Sequence, residues 1–264
     1  MGEGRKTKVL NMAHRGGAGL SPENTVYAFT RAVKCFGADV IELDVWSSRE
    51  GCPVVIHDCT VDRTTNGRGR INRMTLDEIK RLDAAFRFTT DGGATYPLRG
   101  RGITIPTLRE VFEALPGVRM NIEIQQAAPP IEKAVCDLLV EYGMQDRVVV
   151  AAKSTLVQRR FRAVSKESIA VSASISQGLI FSAFSRLGLS SLIRPGVQAL
   201  QFPERVGLFR VITPKLVRDA HRQKMEVHAW IINDVKTMKS LIRMDVDGII
   251  TDYPDRLQRL LENR

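Results

Sequence analysis

The most constraining feature is an alternation. Eight short β-branched runs recur along the 264-residue chain, at 9–13, 40–45, 119–124, 148–151, 169–172, 198–202, 226–231 and 247–250. Between most of them lie longer segments with apolar residues spaced by three and four. Val111, Phe112 and Leu115 form one such face, Val135, Leu138, Leu139 and Tyr142 another, and Leu216, Val217 and Ala220 a third. That spacing is helical, whereas the short runs suit buried strands. Strands separated by helices pair in parallel through right-handed crossovers. Eight such units predict a closed (β/α)8 TIM barrel in which residues 1–264 form a single domain.

One stretch breaks the alternation. Residues 60–105 are rich in Arg, Gly and Thr and read as a small insertion after the second strand. A helix is expected over 75–82, where Thr75 and Glu78 match a capping box.

A TIM barrel presents its working residues at the C-terminal ends of its strands. Just past the first run stand His14, Arg15, Gly16 and Gly17, and the second run contains Glu42 and Asp44. His57 and Asp58 follow an apolar stretch, and the third barrel run contains Glu123. Trp230, Asn233 and Asp252 mark the last two strand ends. Glu42 and Asp44 are two apart on one strand, so they share a face. With Glu123 they form a carboxylate set suited to a hard divalent ion, Mg2+ or Ca2+. His14 and His57 beside such a set suit general acid–base chemistry. The glycine-rich turn lacks the ending of a P-loop, so Arg15, able to fork onto two oxygens, is the better phosphate ligand. His221 falls in a helix pattern and reads as surface, while His228 shares a strand with Trp230.

The formal net charge of +10 favours anionic partners. Lys and Arg are spread along the chain without a long basic run, so nucleic acid is not expected as a partner. Cys35, Cys52, Cys59 and Cys136 form no CxxC pair and are expected as free thiols. The opening MGEGRKTKVLNMA has no long apolar stretch, and no segment has the length of a membrane span. The expected setting is cytoplasmic. Residues 178–193 are the one apolar segment suited to peripheral contact with a membrane, although a buried helix accounts for them more simply.

Read together, the strings AHRGGAGLSPENTVYAF (13–29), DVIELDVW (39–46), PVVIHDCTVDRTTNGRG (53–69), NIEI (121–124), VHAWIIN (227–233) and DGIITDYP (247–254) resemble the glycerophosphodiester phosphodiesterase family. The resemblance spans nearly the whole chain and rests on the combination of motifs. It implies a TIM barrel with a small insertion and metal-dependent hydrolysis of a phosphodiester to glycerol 3-phosphate and an alcohol. It implies metal carboxylates at Glu42, Asp44 and Glu123, catalytic histidines at His14 and His57, and a phosphate contact at Arg15. Glu23 of the ENT string would lie at the site, and Trp230 would line the pocket.

The chain departs from the family where IEIK is usual and IEIQ stands here, with Gln125 in place of the lysine. Lys153, near the end of the next strand, is the candidate to supply the missing charge. A small glycerophosphodiester is the expected substrate. The alternative is a lysophospholipase D, for which Phe181 and Phe184 are the expected acyl contacts. A non-catalytic phosphodiester-binding barrel is the third reading, suggested by Gln125 alone.

Overall fold

The computed structural model describes residues 8–263. Parallel strands β1 (Leu10–Ala13), β2 (Val40–Ser47), β4 (Arg119–Ile124), β5 (Val148–Ala151), β6 (Ala170–Val171), β7 (Ala199–Pro203), β10 (Glu226–Trp230) and β11 (Gly248–Thr251) run side by side. Their order is β6-β5-β4-β2-β1-β11-β10-β7, and a parallel bridge from Ser172 to Ala199 joins the two ends. The result is the closed (β/α)8 barrel that the alternation predicts. Helices α1 (Val26–Phe36), α3 (Leu108–Ala114), α4 (Glu132–Glu141), α5 (Thr155–Ser165), α6 (Ile175–Leu187), α7 (Pro214–Arg222), α8 (Val235–Arg243) and α9 (Pro254–Glu262) surround it. Their inner stripes bury Phe29, Phe112, Phe161 and Phe181 against the sheet. Each such side chain contributes roughly 1.5–3 kcal/mol of burial.

Three short strands lie outside the periodic reading. β3 (Pro53–Val55) pairs antiparallel with the end of β2, and β8 (Arg205–Val206) with β9 (Phe209–Arg210) makes a hairpin after β7. Strands of two or three residues are too short to leave a period in the sequence.

The segment 60–105 is mostly irregular. It contains α2 (Leu76–Lys80), shorter than the expected 75–82, with Thr75 as N-cap and Glu78 closing the capping box. Ile71, Ile79, Ala84 and Ile105 pack with Val54 and Ile56 in a small apolar cluster beside the barrel. This cluster anchors the chain on either side of His57.

Candidate active site

The first βα turn is built around positive φ angles. Arg15 (49°), Gly16 (82°) and Gly17 (88°) follow β1 in succession. A Cβ on Gly16 would lie 2.8 Å from the Ala28 Cβ and 2.8 Å from a Phe29 ring carbon, so only glycine fits. For Arg15 that backbone costs about 1–2 kcal/mol. It turns the Arg15 amide toward Glu42, where N–H donates to Oε2 at 2.9 Å. The same turn aims the Arg15 side chain at two carboxylates. Its Nη1 donates to Glu23 Oε1 at 2.9 Å, and its Nε lies 3.3 Å from Asp44 Oδ2.

Strand register assembles the acidic set. Glu42 and Asp44 project from one face of β2, and Asp44 is the direct partner of Glu123 on β4. One carboxylate oxygen from each of the three lies within 4.8 Å of the others. Burial and then the Asp44 charge push the Glu42 carboxyl up to about 8. Burial raises Glu123 as well, against the opposing Lys153. Asp44 is held from two sides: Asn24 Nδ2 donates to Oδ2 at 2.9 Å, and Gln125 Nε2 donates to Oδ1 at 2.6 Å. Lys153 Nζ stands 3.4 Å from both Glu123 Oε1 and Gln125 Oε1. Gln125 thus bridges Asp44 and Lys153.

Each histidine is fixed through Nδ1. His14 Nδ1 meets Asp252 Oδ1 at 2.7 Å, and Asn233 Nδ2 holds the other Asp252 oxygen at 2.7 Å. His57 Nδ1 meets Asp58 Oδ1 at 2.6 Å. In both rings this leaves Nε2 as the edge turned away from the carboxylate. Burial pulls the His14 imidazole down, but the Asp252 hydrogen bond and the Glu42 charge outweigh it and leave it above its ordinary value. Burial raises Asp252, but the hydrogen bonds from His14 and Asn233 with the nearby His14 and Arg15 charges together outweigh it and hold the carboxyl low.

These groups share one cavity of about 460 Å³ at the C-terminal mouth of the barrel. His14, Arg15, Glu42, Asp44, His57, Glu123 and Lys153 form one side, and Ile175, Leu179, Phe202, Val206, Trp230 and Ile231 form the other. Of the expected catalytic, metal and phosphate-pocket residues, only Glu23 is absent from the lining; the expected acyl contacts Phe181 and Phe184 are absent too. Glu23 sits one layer back, bonded to Arg15 and gripped by Arg63 through both oxygens at 2.6 and 2.7 Å.

Sequence reasoning overlooked several supports. Arg63 falls in the Arg-rich insertion with nothing in the sequence to mark it, yet it ties Glu23 to Asp58 across the site. Asp58, Asp252 and Asn233 were visible at strand ends without a role, and their value depends on which ring they face. His228 does not line this cavity; it is buried, with Nε2 on Glu226 and Nδ1 near Gln201. Phe181 is fully buried, so the acyl contact expected of it is corrected: the α6 side chains in the cavity are Ile175 and Leu179.

A sequence profile described as the glycerophosphoryl diester phosphodiesterase family matches residues 14–256. The chain belongs to that family. It is 37% identical over 263 residues to the glycerophosphodiester phosphodiesterase of Caldanaerobacter subterraneus subsp. tengcongensis, covering 96% of this chain and 98% of that one. Its fold is similar to the glycerophosphoryl diester phosphodiesterase domain of a Mycobacterium tuberculosis protein, with a TM-score of 0.81, 23% identity, and 96% and 99% of the two chains covered. An Oleispira antarctica phosphodiesterase solved with the product sn-glycerol-3-phosphate matches with a TM-score of 0.74 and 26% identity, over 95% of this chain and 96% of that one.

Proposed function

We propose that this member of the glycerophosphoryl diester phosphodiesterase family hydrolyses glycerophosphodiesters to glycerol 3-phosphate and an alcohol, with a divalent ion held by Glu42, Asp44 and Glu123. The observation that carries the reading is the meeting of this acidic set with two carboxylate-oriented histidines in one cavity. The donor set fits a hard cation: three carboxylates from rigid strands converge, and the buried Glu42 has no Lys or Arg within ion-pair distance among the described residues. Arg15 and Lys153 reach Asp44 and Glu123 only at 3.3 and 3.4 Å. A bound cation would supply positive charge beside the phosphate oxygens.

The chain's own groups account for the rest. Arg15, braced by Glu23, orients the phosphate and offsets charge as phosphorus becomes five-coordinate. One imidazole Nε2 removes the proton from the attacking oxygen as its bond to phosphorus forms. The other gives a proton to the departing alkoxide as its bond breaks. Asp252 and Asp58 hold the rings in place. Lys153, placed through Gln125, supplies the charge that the family's usual lysine would bring.

A second reading, a lysophospholipase D cleaving a substrate that keeps one acyl chain, is favoured by the apolar wall of Ile175, Leu179, Phe202 and Trp230. The test is product release from a mixture of glycerophosphodiesters and a lysophospholipid, with EDTA and then with Mg2+ or Ca2+ restored. Metal-dependent glycerol 3-phosphate supports the first reading and lysophosphatidic acid the second. No product with either metal overturns both and favours a phosphodiester-binding barrel.

A further inference from the structure

The apolar wall of the cavity continues onto the outer surface. Among the described residues sixteen large apolar side chains are exposed, and nine of them fall between 175 and 209. Three of the nine, Ile175, Leu179 and Val206, edge the cavity mouth; the other six lie on α6, the turn after it, and the tip of the β8–β9 hairpin. At the hairpin tip Leu208 is 91% and Phe209 71% exposed. Arg186 Nη2 donates to the Arg210 carbonyl and ties this hairpin to α6. Scattered exposed apolar side chains are ordinary on a monomer, but a continuous face marks a surface that something covers.

Charge is concentrated in the same stretch. Between 170 and 224 the chain carries eight Lys and Arg but only two carboxylates, Glu204 and Asp219, so this stretch holds six of the ten net positive charges. Both carboxylates are already matched. Glu204 lies 3.5 Å from Arg205 and 3.0 Å from Arg210, and the buried Asp219 accepts from Ser185, Lys215 and Arg222. Around Asp219, Arg194, Lys215, Arg218 and Arg222 line an open cleft of about 560 Å³.

We propose that this face is a docking surface for an anionic lipid bilayer. The apolar stripe of α6, about 20 Å long by its helical rise, would rest along the interface with the hairpin tip entering it. The surrounding Arg and Lys would meet the headgroup phosphates. Charge decides against a second copy of this chain, which would press the same positive stretch against itself. The proposal extends the phosphodiesterase reading by naming the surface from which an acylated substrate arrives, and its binding readout needs no turnover.

The experiment is flotation with extruded vesicles of phosphatidylcholine alone or with about a third phosphatidylglycerol, at low and high salt. The wild-type protein is expected to float with the anionic vesicles only and to be released by salt. The variants Leu208→Asp/Phe209→Asp and Arg194→Glu/Arg218→Glu are each expected to weaken that binding at least tenfold. Both pairs lie outside the cavity lining, so hydrolysis of soluble glycerophosphocholine is expected to stay at the wild-type rate, which reports an intact fold. Absence of wild-type flotation, or flotation indifferent to both variant pairs, overturns the proposal. Self-association by light scattering that the same variants abolish, without vesicle binding, overturns it in favour of a second copy. Intact flotation with no turnover on any diester would instead fail the phosphodiesterase reading and leave the docking standing.

Discussion

The two sides of the cavity mouth are built by opposite rules. The side formed by β1, β2 and β4 is polar and almost wholly cross-braced: each histidine has a carboxylate, Asp44 has two amide donors, and Glu23 has two arginines. The side formed by β6, β7 and β10 is mostly apolar; its polar members Ser174 and Gln201 bond to neighbouring hydroxyls and amides rather than to carboxylates or arginines, and it runs outward onto α6 and the β8–β9 hairpin. On the phosphodiesterase reading proposed above, one half is pre-organised to do chemistry on a charged group. The other offers area, which suits whatever is attached to that group. Preorganised dipoles must be fixed to be effective, whereas apolar burial is non-directional and tolerates a loose wall.

That division can be broken experimentally. The largest effect is expected on the polar side: His14→Ala and His57→Ala should each lower kcat by about 10²–10⁴ on every substrate. Near-wild-type turnover in either variant would remove that histidine from the chemistry. On the apolar side, Leu179→Asp should raise KM for a lysophospholipid about tenfold, the effect of roughly 1.4 kcal/mol, and leave glycerophosphocholine unaffected. Equal losses on both substrates would erase the distinction. Lys153→Ala should reduce kcat several-fold, with partial rescue by Lys153→Arg; unchanged kcat and KM would discard Lys153 as a substitute for the missing lysine.

The smallest effects concern the ion-free protein. Glu42 has its carboxyl pushed up to about 8 by burial and Asp44. The folded chain therefore keeps a proton that the unfolded chain loses near pH 4.5, and stability falls as pH rises between these values. Glu42→Gln should then raise Tm at pH 8 in EDTA, by about 2–4 °C per kcal/mol relieved in a domain of this size. Added Mg2+ or Ca2+ should stabilise the wild type more than the variant. A lower Tm for the variant in EDTA would show that Glu42 is satisfied without a cation. Similarly, Asp252→Asn should lower the His14 pKa in an NMR titration, because the Asp252 hydrogen bond is the main group raising it.

The barrel was legible because its cause is periodic. Runs of Val and Ile separated by helical faces force parallel pairing, and eight of them close. The acidic set was legible for the same reason, since Glu42 and Asp44 must share a face of β2 at a spacing of two. The hairpin at 205–210 was not, because elements this short carry no period; Pro53–Val55 showed as an apolar run ending at His57, but its antiparallel pairing with β2 did not. Nor was Arg63 visible as a brace. Its role depends on segment 60–105 folding back over the first βα turn to reach Glu23, 40 residues earlier in the chain.

By itself, then, the sequence determined the architecture and which residue types gather at strand ends, because hydrophobic period and strand alternation are local properties of the chain. Only tertiary structure decided which carboxylate orients which histidine, that Gln125 links Asp44 to Lys153, and that α6 buries Phe181 while turning Leu179 to the cavity. Those outcomes depend on distances of a few ångströms between segments far apart in the chain, and strand register and helix rotation fix them only once the barrel has closed.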